Sequence, residues 1–175
     1  MKKALLIILV CLISAMVYPQ ANKQGIHLVS EGSVLNAHMY LPGSNSNGYT
    51  LILLHGYPGG EGDPLSLGAR LSSLGTKVLV FNYRGTWSSK GEFSFESSMQ
   101  DVTNAISFLK LPASMQEFGI DTSKIIVGGY SFGGAMALTE AVYNPDIRRI
   151  ISIAGADESV FGRTMLSDEN FRIML

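Results

Sequence analysis

Ser131 lies in Gly129-Tyr130-Ser131-Phe132-Gly133, a G-x-S-x-G pattern. A serine hydroxyl in such a setting can attack a carbonyl carbon if a base takes its proton and N–H groups receive the oxyanion. In a chain this rich in glycine and serine the pattern alone is weak evidence. Its surroundings strengthen it. "KIIVGGYS" reads as a buried strand and "FGGAMALTEAVY" as the helix after it, the strand–turn–helix context the motif needs. Flanking glycines admit a bend that side chains would obstruct, and the helix aims its first N–H groups at the reacting centre.

A second element completes that chemistry. His55-Gly56-Tyr57-Pro58-Gly59-Gly60 follows an earlier strand pattern, and so small a loop can turn a backbone N–H toward the serine. The amides of Tyr57 and Phe132 are the candidate oxyanion donors; losing one such donor typically costs about 10²–10³ in rate. The base is harder to find. The three histidines, His27, His38 and His55, all precede Ser131. His27 and His38 belong to alternating strand patterns and read as surface or rim residues. His55 reads as the residue that holds its own loop, because a base must come within hydrogen-bond reach of the serine.

Other chemistries have less support. Ser107-Phe108-Leu109-Lys110 fits S-x-x-K formally, but it falls on an amphipathic helix where Lys110 reads as a solvated end residue. No H-E-x-x-H, P-loop or G-x-G-x-x-G pattern occurs, so neither a metal nor a cofactor is expected. The single cysteine, Cys11, sits in the apolar N-terminal segment, which leaves the mature chain without disulfides, a thiol nucleophile or thiolate ligands.

The elements that must position these residues are legible in the patterning. Leu35, Ala37, Met39 and Leu41 alternate with Asn36, His38 and Tyr40, as in a half-buried strand of a hairpin whose turn is Glu31-Gly32-Ser33. "TLILLHG" and "KVLVFNYRG" are continuous apolar runs, the signature of strands covered on both faces. Between them Asp63 and Pro64 open a helix carrying Leu67, Leu71 and Leu74 on one face, closed by Gly75. Phe95, Met99, Val102, Ile106 and Leu109 form the core-facing stripe of a second helix. "IRRIISIAGAD" is one more strand. Strand and helix alternate, so the expected fold class is α/β: a mostly parallel sheet with helices on both faces. Ligands lie outside the carboxyl ends of such strands. The ends here carry His55-Gly56-Tyr57, Asn82 to Gly85, Ser131 and Asp157, four loops on one rim, and Trp87 lies in a loop able to shape it.

Composition narrows the class further. With 46% hydrophobic residues over 175 positions, the chain can bury one sizeable core. A formal net charge of −1 without a basic stripe argues against a nucleic-acid partner. Lys2 and Lys3 precede an apolar run from Ala4 to Val17, too short to span a bilayer. Residues 1–21 therefore read as a signal peptide of an exported, periplasmic or secreted protein, touching a membrane only if that segment stays uncleaved. Residues 22–175 form the single domain. Its closing "SDENFRIML" starts as a helix would, with Ser167 as cap, then stops on apolar residues. We expect the sheet to be incomplete at this end.

The order hairpin, HG-x-P-G loop, "NYRG" and G-x-S-x-G resembles the α/β-hydrolase superfamily. "FNYRGTWSSKGEFSFESSMQDV" is similar to its serine aminopeptidase, prolyl-oligopeptidase-like and dienelactone-hydrolase-like branches. The likeness covers about residues 25–157. It implies a serine hydrolase without cofactor, acting on a small-molecule ester or a peptide through an acyl-enzyme on Ser131, with the Tyr57 and Phe132 amides as oxyanion donors. It also implies that Arg84 and Asp101 are scaffold, pairing to fix the loop after "FNY". Members order their triad as serine, acid, histidine. Asp157 is a candidate acid, although more members carry theirs one strand later, and no histidine follows Ser131. Two alternatives stay open: a secreted, non-catalytic binding protein on this scaffold, and an acyltransferase.

Overall fold

A computed structural model describes residues 22–57, 59–155 and 157. The expected signal segment with Cys11, and the closing segment from Ser167, lie outside the described residues. Strand β1 (Asn22–Ser30) pairs antiparallel with β2 (Ser33–Leu41). Glu31 and Gly32 turn between them, both at positive φ (46° and 77°), as a tight two-residue hairpin with the strands' own twist requires. Leu35, Ala37 and Met39 face the core as the alternation predicts. Tyr40 departs from it: expected on the polar face, it is buried among Leu51, Leu53, Val78 and Val80, because that end of β2 is covered by a helix.

The remaining strands are β3 (Thr50–Leu54), β4 (Lys77–Phe81), β5 (Ile125–Tyr130) and β6 (Ile150–Ile153). The sheet order is β1-β2-β4-β3-β5-β6, with β4, β3, β5 and β6 parallel and the hairpin joined antiparallel through β2. This is the mostly parallel sheet that the alternating pattern implies. Successive residues of β3 and β4 serve two cores. Ile52, Leu54, Leu79 and Phe81 join one, and Leu51, Leu53, Val78 and Val80 the other. Strand β6 is shorter than its sequence pattern suggests. Ala154 takes a positive φ (46°) and ends it, so Asp157 lies in the following segment, exposed, and not at the strand end.

Helices cover both faces. Helix α1 (Leu67–Ser73) packs Leu67 and Leu71 on the smaller core, while Leu74 is exposed. It begins later than Asp63-Pro64 suggests: Pro64–Ser66 form a 3-10 turn, and the Asp63 carboxylate accepts from the Gly68 and Ala69 N–H groups (2.5 and 2.9 Å). Helices α2 (Phe95–Lys110), α3 (Pro112–Phe118) and α4 (Phe132–Tyr143) cover the other face. Ser94 and Ser97 close a reciprocal capping box at the start of α2. Val102, Ala105, Ile106 and Leu109 are buried, whereas Phe95, at the stripe's leading end, is half exposed toward the rim.

Asp101, wholly buried on α2, fixes the loop after β4. Its carboxylate accepts from Arg84 Nε (2.6 Å) and from the Arg84 backbone N–H (2.7 Å). The guanidinium also donates to the Ser97 carbonyl and the Gln100 side chain. Burial pushes the Asp101 carboxyl up, against the pull of the Arg84 N–H, the Ser30 hydroxyl and the guanidinium. The pairing that the resemblance implies is therefore present, and its partners are needed to hold a charge at that depth. Removing one partner of a buried pair strands the other. Arg84→Ala should cost about 3–5 kcal/mol in urea unfolding; unchanged stability would show that the pair does not hold the loop.

Candidate active site

Ser131 is the hinge between β5 and α4. Its backbone stands at φ 51°, ψ −122°, a left-handed conformation that side chains rarely adopt. Its N–H donates to the Ile153 carbonyl (3.0 Å), and its own carbonyl accepts from the Ala135 N–H (3.1 Å). The strain is thus held from β6 on one side and from the first turn of α4 on the other. The hydroxyl carries no helix-capping bond, and the residue is half buried at the carboxyl end of β5.

The flanking glycines are required by close packing. A Cβ at Gly133 would stand 2.5 Å from the Leu54 carbonyl oxygen and 2.6 Å from that of His55. One at Gly129 would stand 2.6 Å from the Leu54 oxygen, and one at Gly134 2.9 Å from the Gly155 Cα. Each obstacle is backbone and cannot swing aside. The same proximity brings the β3 loop against the serine: a Cβ on Gly56 would lie 3.1 Å from the Ser131 Cβ. Leu54 pairs in register with Gly129, so Gly56-Tyr57 and Ser131-Phe132 leave the sheet side by side. The first N–H groups of α4, beginning with Phe132, have no acceptor within their helix. The sequence-predicted Ser131, Tyr57 and Phe132 are therefore brought together.

Rings line this corner. Tyr57 stacks on Phe93 (4.6 Å between centroids, 27°), and Phe132 meets Tyr83, Phe93, Phe95 and Tyr57 at 5.5–6.4 Å. Glu61 ties the β3 loop down. Its carboxylate accepts from Asn36 Nδ2 (2.8 Å) and from the Ser88 hydroxyl, linking that loop to the hairpin and to the loop after β4. Sequence reasoning missed Glu61, Phe93 and the outward position of Phe95. Glu61 stands 25 and 27 residues from its partners, and no local spacing announces such contacts.

His55 is where the loop-holding reading placed it. It is wholly buried, its ring packs on Tyr83 (4.6 Å), and Nδ1 lies 2.6 Å from the Gly56 carbonyl oxygen. That contact makes Nδ1 the protonated nitrogen and leaves Nε2 buried with no hydrogen-bond partner among the described residues. Burial holds its pKa below the ordinary value. His27 and His38 lie on β1 and β2, with β4 and β3 between β2 and β5. At about 4.8 Å per strand, the nearer is roughly 14 Å from the elbow strand. The described residues thus bring no histidine to Ser131 as a base. Among them, no group of three or more His, Cys, Asp or Glu is placed to hold a metal ion.

Known proteins share this fold. Residues 49–171 match the family model described as the alpha/beta hydrolase fold. The chain belongs to the α/β-hydrolase fold family. It is 30% identical over 146 residues to thiohydrolase aneE of Aspergillus aculeatus, an alignment covering 81% of this chain and 44% of the relative. It is 34% identical over 114 residues to a proline iminopeptidase of Saccharolobus solfataricus, covering 65% of this chain and 34% of the relative. Among solved structures, it resembles a thermophilic carboxylesterase cloned from a metagenomic library: TM-score 0.64, 22% identity, covering 83% of this chain and 50% of the esterase. This α/β-hydrolase-fold chain therefore spans less than half the length of the curated relatives it matches.

Two outcomes test the corner. Relieving the left-handed strain, Ser131→Gly should be about 1 kcal/mol more stable than Ser131→Ala in urea unfolding; equal midpoints would show that the elbow stores no strain. His55 stays neutral in the fold, while the unfolded chain takes up a proton near its ordinary 6.5. Its contribution is complete above that pH and is lost as pH falls toward the lower folded value. Stability should therefore decline between pH 7 and 5, and less steeply in His55→Gln. His38, also held low by burial and by Lys23, adds to the slope that remains, and Asp101, whose carboxyl burial raises, opposes it in both proteins. Identical slopes would contradict the assignment.

Proposed function

We propose that this is the nucleophile-bearing part of an exported serine hydrolase that cleaves a carboxylic ester or a peptide bond through an acyl-enzyme. A base takes the Ser131 proton as Oγ attacks the carbonyl and the Tyr57 and Phe132 amides receive the oxyanion; the alcohol or amine leaves with that proton, and water then hydrolyses the acyl-enzyme to the carboxylic acid and free Ser131. The observation that carries this reading is the strained Ser131 backbone set against the Gly56 loop. A fold holds a serine in that conformation at a cost, and function is the ordinary reason for such a cost. The esterase and peptidase names among the relatives support the substrate class. The signal-like pattern of residues 1–21 is what supports export in this reading.

The attack requires a base, and losing the histidine of a serine triad costs on the order of 10⁶ in turnover. In this reading the base comes from polypeptide beyond these 175 residues, and Asp157, exposed past β6, is a candidate acid to orient it. The absence of any histidine after Ser131 also favours a second reading, a binding protein on the same scaffold without turnover.

A fluorophosphonate probe separates the two. The hydrolase reading expects slow labelling of the 175-residue chain, acceleration by added imidazole standing in for the missing base, and neither in Ser131→Ala. Labelling that persists in Ser131→Ala would reject the nucleophile. No labelling with or without imidazole would favour the binding protein.

A further inference from the structure

The rings around Phe132 are more than packing. Tyr83 is wholly buried and anchors the cluster from below, yet Tyr57 is 58% exposed and Phe95 39%. Phe93 and Phe132 are half buried between them. Three separate segments contribute: the loop after β3, the stretch leading into α2, and the first residue of α4. A cluster serving only the core would turn its outer rings inward, as β4 does with Phe81. Among the described residues, an aromatic ledge is left exposed next to the serine. Its geometry is already that of ring recognition, with one offset stack (Tyr57 on Phe93, 27°) and edge-on contacts around Phe132 (Tyr83 87°, Phe95 84°). Aromatic side chains have few rotatable bonds, so such a surface is ordered before a ligand arrives.

We infer that this ledge receives a planar aromatic group of the substrate, so that the preferred esters or amides carry an aromatic ring close to the scissile carbonyl. The inference rests on Ser131 being the nucleophile only for the position of that carbonyl; the affinity of the ledge for a ring stands independently. Tyr57 thus has two roles, its amide toward the oxyanion and its ring toward the substrate.

The test compares two neutral amides of the same length, N-methylbenzamide and N-methylcyclohexanecarboxamide, by amide chemical-shift titration of the ¹⁵N-labelled chain. The aromatic amide should bind about fivefold more tightly or better, moving the resonances of Tyr57, Phe93 and Phe132. In Phe95→Leu the preference should fall toward unity. Equal affinities in the wild-type chain, or shifts confined to other residues, would overturn the inference whether or not the variant folds. Benzyl and cyclohexylmethyl fluorophosphonates, each with imidazole, separate it from the reading of Ser131. Binding without covalent labelling would remove the nucleophile and keep the ledge. Labelling at equal rates by both would keep the nucleophile and remove the ledge.

Discussion

Helix α4 reaches the rim of the sheet only because its backbone passes within van der Waals distance of β3. Gly129 and Gly133 make that approach possible, and the carbonyls of Leu54 and His55 fill the space that any side chain there would occupy. From this contact the other features of the corner follow. The chain must reverse within one residue, so Ser131 takes a left-handed backbone. The loop after β3 is brought against it, so Gly56 carries no side chain. The helix then points its unpaired N–H groups over the same spot.

Such a bend needs a rigid frame, and the frame is polar as well as apolar. Thr50–Leu54 and Lys77–Phe81 are buried along their whole length, which fixes the sheet beneath the loops. Asp101 and Arg84 fix the loop after β4 from within the protein, at the cost of dehydrating a carboxylate. His55 stiffens the loop after β3 by its bond to Gly56, and Glu61 ties the loop's far end to Asn36 and Ser88. The rim is thus ordered by short contacts that lie outside the reacting centre.

Much of this was legible in the sequence, and the pattern of misses has physical causes. Continuous apolar runs and strand–helix alternation gave the parallel sheet, because strands covered on both faces tolerate little else. G-x-S-x-G and HG-x-P-G marked the elbow and the facing loop, because close backbone approach demands glycine. A cap residue does not fix where its helix starts: Asp63 caps a helix that begins at Leu67, since Leu65 and Ser66 turn with positive φ first. Tyr40, Leu74 and Phe95 were misplaced because periodicity reports which face a residue lies on and not what covers that face. Glu61 and the aromatic ledge depend on contacts between segments far apart in the chain, which no spacing encodes.

The central claim is that the glycine-flanked bend delivers a hydroxyl to a cradle formed by two backbone amides. A crystal structure of a phosphonylated adduct tests it most directly. The account predicts phosphorus bonded to Ser131 Oγ, with the phosphoryl oxygen about 2.7–3.1 Å from both the Tyr57 and Phe132 nitrogens. An adduct on another side chain, or a phosphoryl oxygen turned to solvent away from those amides, would contradict it.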